Sequence, residues 1–85
     1  MTDAPVDAEG SFPLTELEIG ASAVVDRLPA DVPNLRRIRE MGVVPGTRVK
    51  LLRRAPLGDP LEISVRGGLL SLRIQEAALI QVRAL

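Results

Sequence analysis

Leu61, Ile63 and Val65 alternate with Glu62, Ser64 and Arg66, and beyond Gly67-Gly68 the alternation resumes with Leu70, Leu72 and Ile74 against Leu69, Ser71 and Arg73. A period of two marks strands with one buried face. A Gly-Gly step supplies the positive φ values of a tight turn, so the pattern predicts a hairpin turning on Gly67-Gly68. Residues 47–54 put Val49 and Leu51 inward and Arg48, Lys50 and Arg54 outward. Leu52 falls on the polar side, so it is either at a bulge or exposed. Residues 22–28 form a further strand in which Val24 and Val25 face opposite sides, and Ile80, Val82 and Ala84 form a last one. Between them, Leu35, Ile38 and Met41 recur at steps of three over residues 34–41, one face of a short helix that Gly42 ends. Single helical turns are expected at Leu14 to Leu17 and at residues 75–78.

Turn chemistry punctuates these elements. Pro45-Gly46 suits the centre of a type II turn, and Ala55-Pro56-Leu57-Gly58-Asp59-Pro60 separates the second and third strands. The fold class is therefore mainly β: a small SH3-like barrel of about five strands, with one short α-helix and short helical turns. Residues 14–85 make up this domain. Residues 1–13 are small and acidic and carry Pro5, Gly10 and Pro13, which predicts a flexible tail.

Composition changes the picture in three ways. Of the 85 residues, 46% are hydrophobic but only one is aromatic, Phe12, so Leu, Val, Ile and Ala must fill the interior. The absence of Cys removes disulfides and thiolate metal sites, pointing to a reducing compartment, and neither a membrane-spanning run nor a signal peptide is predicted. The net charge is zero, yet residues 1–13 hold three carboxylates and no cation, leaving eleven cations against eight carboxylates in residues 14–85. Ten of those cations are Arg, which favours planar, bidentate or stacked contacts.

Leu35-Arg36-Arg37-Ile38-Arg39-Glu40-Met41-Gly42-Val43-Val44-Pro45-Gly46-Thr47, followed by the residue 55–60 turn, Val65-Arg66-Gly67 and Leu72-Arg73-Ile74-Gln75-Glu76-Ala77, resembles the FeoA family of bacterial ferrous-iron transport. The likeness covers about residues 14–85. It implies an SH3-like barrel, a cytoplasmic location and a role as accessory to FeoB, the membrane ferrous-iron transporter with a cytosolic GTP-binding domain. Gly68 departs from the pattern, since the family often carries a large side chain there. The same fold occurs in the C-terminal domain of iron- and manganese-dependent repressors, but their winged helix and metal-binding His and Cys are missing here.

The chain lacks the usual apparatus of catalysis. It has no His and no Cys, and no Gly-rich run leads into Gly-Lys-Ser or Gly-Lys-Thr, so neither an enzyme nor a nucleotide-binding loop is expected. No cofactor or metal site is expected either. Asp59 and Glu62 stand near one turn, but Asp59 is better suited to bonding turn amides, and Glu76 to capping the final helical turn. What remains is surface. Arg36, Arg37 and Arg39 on the helix, with Arg48, Arg53 and Arg54 on the next strand, form one basic surface if the helix folds across the barrel; Leu52 and Leu57 would supply its apolar centre. On the FeoA resemblance this is a docking surface for an acidic patch of the transporter, with Arg36, Arg37, Arg39, Leu52, Arg53, Arg54 and Leu57 as candidate partner-binding residues. A solvated charged face is the plainer alternative. Nucleic-acid binding is the rival class and lacks stacking aromatics. Weak self-association through outward Leu52, Leu69 and Leu85 is the third.

Overall fold

A computed structural model describes residues 10–85. Six strands form one antiparallel sheet: β1 (Ser11–Pro13), β2 (Ser22–Arg27), β3 (Arg48–Arg54), β4 (Leu61–Val65), β5 (Gly68–Leu72) and β6 (Gln81–Ala84). Their order across the sheet is β1-β6-β2-β3-β4-β5. Two helices, α1 (Pro33–Glu40) and α2 (Ile74–Ala77), and a 3-10 turn at Leu14–Glu16 complete it. The mainly β architecture is the expected one, with six strands instead of about five. The ladder is not closed among the described residues: β1 and β5 are its two ends.

The extra strand comes from the segment expected to be tail. Ser11, Phe12 and Pro13 pair with Arg83, Val82 and Gln81 of β6, and Ser11 Oγ donates to Asp26 Oδ2 at 2.6 Å. Phe12 thus packs against the core instead of trailing into solvent. Composition did not reveal this because the pairing is non-local. Residues 1–9 of the expected tail lie outside the described residues.

The core is aliphatic, as composition requires. Leu14, Leu35, Ile38, Leu51, Leu61, Ile63, Leu72 and Ile80 are its largest fully buried side chains. Its demands set the β4–β5 register: Ile63 opposes Leu70 and Leu61 opposes Leu72, which forces Val65 opposite Gly68. Only Arg66 and Gly67 are left to turn the chain, with φ of 52° and 80°. The turn is therefore Arg66-Gly67, one residue earlier than expected, with Arg66 in a conformation that usually favours Gly or Asn.

Ile74 also departs from its expected strand. It opens α2, whose free amides are met from two directions: the Arg73 amide donates to Glu76 Oε1 at 2.9 Å, and the Ile74 amide donates to Asp59 Oδ1 at 3.1 Å. Asp59 thus bonds a backbone amide, but that of a helix 15 residues away in sequence.

Helix α1 starts at Pro33, whose missing N–H is no loss in the first turn. It ends in a Schellman arrangement, with the Val43 amide donating to the Ile38 carbonyl and the Gly42 amide to the Arg39 carbonyl. Gly42, at φ 109°, reverses the chain there. This reversal buries Val43 and leaves Met41 48% exposed, so the third inward position of the helix pattern is filled by Val43 from beyond the helix.

Candidate partner-binding surface

Leu52 settles the geometry of the next site. Leu51 pairs with Ile63 and Arg53 with Glu62, so Leu52 is the extra residue of a β-bulge. A regular period of two would turn Arg53 inward with Val49 and Leu51. The bulge instead puts Arg53 on the outer face beside Glu62 and turns Arg54 toward the inner side, opposite Leu61. Arg54 Nη2 then donates to the carbonyl oxygens of Thr15 and Leu17, at 2.8 and 3.0 Å. Two adjacent arginines consequently do different things. Arg53 pairs with the Glu62 carboxylate at 2.6 Å in the open, and that hydrogen bond, then the charge, raises its pKa above the ordinary value. Arg54 ties β3 to the 3-10 turn.

Beyond β3 the chain makes a firm protruding turn. The Gly58 amide donates to the Ala55 carbonyl at 2.7 Å and the Ala55 amide to the Pro60 carbonyl at 3.0 Å. Asp59 anchors the turn to α2 through the Ile74 amide, and Arg73 Nη1 lies 4.0 Å from its other carboxylate oxygen. Leu57 stands at the tip, 95% exposed. Beside it is a hollow of about 420 Å³ lined by Arg53, Arg54, Ala55, Pro56, Pro60 and Glu62. A rigid turn that offers a leucine next to an apolar, arginine-rimmed hollow has the makings of an anchor and its surround.

The helix arginines go elsewhere. Arg36 and Arg39 line a second hollow with Ala30, Asp31, Val32 and Pro33, which shares no residue with the first. Arg39 donates to the Pro29 carbonyl, and Arg37 reaches Glu76 of α2 at 3.8 Å. The seven candidate residues therefore divide. Arg53 and Leu57 are exposed at the β3–β4 turn, Leu52 is the half-buried bulge, Arg54 is an internal tie, and Arg36, Arg37 and Arg39 belong to the α1 side. The lining by Ala55, Pro56 and Pro60 and the anchoring of the turn by Asp59 were missed. The lining comes from the single stretch of residues 53–62 and takes shape only once the turn folds back on itself, whereas the Asp59 anchor joins residues 15 positions apart.

Asp59, Glu62 and Glu76 are engaged in these contacts. Among the described residues no cluster of three or more His, Cys, Asp or Glu side chains stands ready for a metal ion. No helix among them is long and apolar enough to cross a membrane.

These features define a small, mainly β module of the SH3-like class, with an apolar anchor and arginines at its surface. The FeoA domain model matches residues 12–84, and the chain belongs to the FeoA domain family. A Porphyromonas gingivalis protein described as an Fe(2+) transport protein A/Fe(2+) transporter FeoB fusion is 38% identical over 69 residues, 81% of this chain. The chain spans only the part of that fusion the match covers, 8% of its length. The FeoA protein of Chlorobium tepidum, solved by NMR, is 42% identical with a TM-score of 0.81, covering 87% of this chain and 70% of its own. The zinc complex of Stenotrophomonas maltophilia FeoA, described as a procaryotic SH3 domain protein, is 36% identical with a TM-score of 0.73, covering 84% and 88%. The fusion links the family to ferrous-iron transport.

Proposed function

We propose that this chain is a non-enzymatic, cytosolic accessory domain that docks on a FeoB-type ferrous-iron transporter and modulates uptake, with the β3–β4 turn as its contact surface. The observation that carries the reading is covalent: in the Porphyromonas gingivalis relative, a FeoA sequence and a FeoB transporter share one chain. Partners that act together gain a high effective concentration when fused, and a separate accessory must make up that difference with a binding surface. Leu57 supplies such a surface, because a leucine held almost wholly in water gains about 1.5–3 kcal/mol when a partner covers it. Arg53 at the rim adds charge steering toward an acidic patch. The GTP-binding domain of the transporter is the expected acceptor.

The test is binding of the full chain to the purified transporter in detergent, with and without guanine nucleotide, alongside Leu57→Asp. Wild-type binding that the substitution weakens at least tenfold supports the reading and its surface. Undiminished binding of Leu57→Asp moves the contact away from the turn. Absence of wild-type binding in every nucleotide state refutes the docking role.

A further inference from the structure

Among the described residues the sheet ends on β5, and no strand pairs with its outer edge. Its five residues pair with β4 alone among the described residues. Because the turn has two residues, the Val65–Gly68 pair next to it exchanges both backbone hydrogen bonds, as do Ile63–Leu70 and Leu61–Leu72 further along. Leu69 and Ser71 belong to the alternate pairs, so their N–H and C=O groups point away from β4 toward the free edge. Natural sheets block such an edge with proline, a bulge, an inward charge or a covering segment. None of the first three occurs in Gly68–Leu72. On the outer face Leu69 is 69% exposed.

Charge decides what fits. Arg66 stands just before the strand and Arg73 just after it, both exposed. Arg66 makes a 3.4 Å contact with the Gly42 carbonyl, and Arg73 lies 4.0 Å from Asp59. A second copy pairing antiparallel about Leu70 would set Leu69 against Ser71, which suits the backbone. It would also bring Arg73 of each copy beside Gly67 and Arg66 of the other, with like charges facing at both ends. An acidic strand meets no such repulsion.

We propose that the free edge of β5 takes up an extended acidic segment of a partner protein as a seventh strand, its carboxylates meeting Arg66 and Arg73 and an apolar residue covering Leu69. Main-chain bonds to Leu69 and Ser71 provide the affinity and the flanking arginines the selectivity. A match to five residues requires about 17 Å of extended partner. The inference rests on the docking role only in taking the partner to be a protein, and its surface is separate from Leu57.

The experiment is an amide NMR titration of the full, isotope-labelled chain with an end-blocked synthetic peptide, Glu-Glu-Val-Thr-Val-Thr-Val-Glu-Glu, and with its Lys-for-Glu counterpart. The acidic peptide is expected to shift the Leu69 and Ser71 amides and slow their hydrogen exchange, with the lysine peptide at least tenfold weaker. Leu69→Pro removes an edge donor without removing a bond to β4 and should abolish binding, while the milder Arg73→Gln should weaken it severalfold. Leu57→Asp should bind the peptide as wild type does, which separates this edge from the transporter-docking surface. Shifts confined to other strands, equal affinity for the lysine peptide, or β5 shifts produced by protein concentration alone would each overturn the proposal.

Discussion

Replacing Arg54 by Met tests the bulge at Leu52 more sharply than any other change. The substitution keeps most of the aliphatic length of the side chain and removes the guanidinium that donates to the Thr15 and Leu17 carbonyls at 2.8 and 3.0 Å. Hydrogen bonds from a charged donor contribute about 1.5–3 kcal/mol, and a half-buried carbonyl left alone recovers part of this from water. Taking the two bonds as one unit sharing a nitrogen, the expected loss is about 2–3 kcal/mol. For a domain of this size each kcal/mol lowers Tm by about 4–8 °C, so Arg54→Met should melt about 10–20 °C below wild type in a far-UV circular dichroism scan. Arg53→Met is the internal control, because Arg53 pairs with Glu62 in the open and exposed ion pairs contribute little. Its Tm should move by no more than a few degrees, on the same scale. Equal effects of the two substitutions, or a larger one at Arg53, would refute the bulge geometry and restore the regular alternation.

Two further substitutions probe the turns. Gly42→Ala forces a side chain onto φ 109° and sets its Cβ 2.6 Å from Arg66 Cδ; the arginine can swing away but the backbone cannot, so a loss of about 1–2 kcal/mol is expected by urea unfolding, and an unchanged midpoint would contradict the helix ending. Asp59→Ala removes the acceptor for the Ile74 amide and should cost about 1 kcal/mol, the usual value of a lost cap, with amide exchange accelerating at Ile74 first; uniform acceleration across the sheet would show that Asp59 does not act through α2.

Strand positions were legible wherever one face is buried and the partner is close in sequence. The alternation of Leu61, Ile63 and Val65 against Leu70 and Leu72 marked the hairpin, and the core uses those five side chains as anticipated. The turn was displaced by one residue because Gly67-Gly68 is the better local turn sequence, whereas the register is chosen by the fit of Ile63 to Leu70. Met41 misled for a similar reason, since steps of three describe an unbroken helix and not one that reverses at Gly42. The candidate arginines were found as residue types but not as groups. Whether Arg53 or Arg54 faces outward depends on a single extra residue in β3, and period-two reasoning carries no information about where such a residue is absorbed.

From the sequence alone followed the mainly β class, the aliphatic interior, the turn-rich punctuation and the lack of thiol and imidazole. Each depends on composition or on neighbours a few residues apart, where sterics and hydrophobic periodicity act directly. The attachment of Ser11–Pro13 to β6, the tie from Arg54 to the 3-10 turn, the capping of α2 by Asp59 and the isolation of β5 at the end of the sheet were decided by tertiary structure. These contacts join residues 15 to about 70 positions apart. Their partners become neighbours only after the aliphatic core has brought the strands together, so no stretch of the chain read by itself contains them.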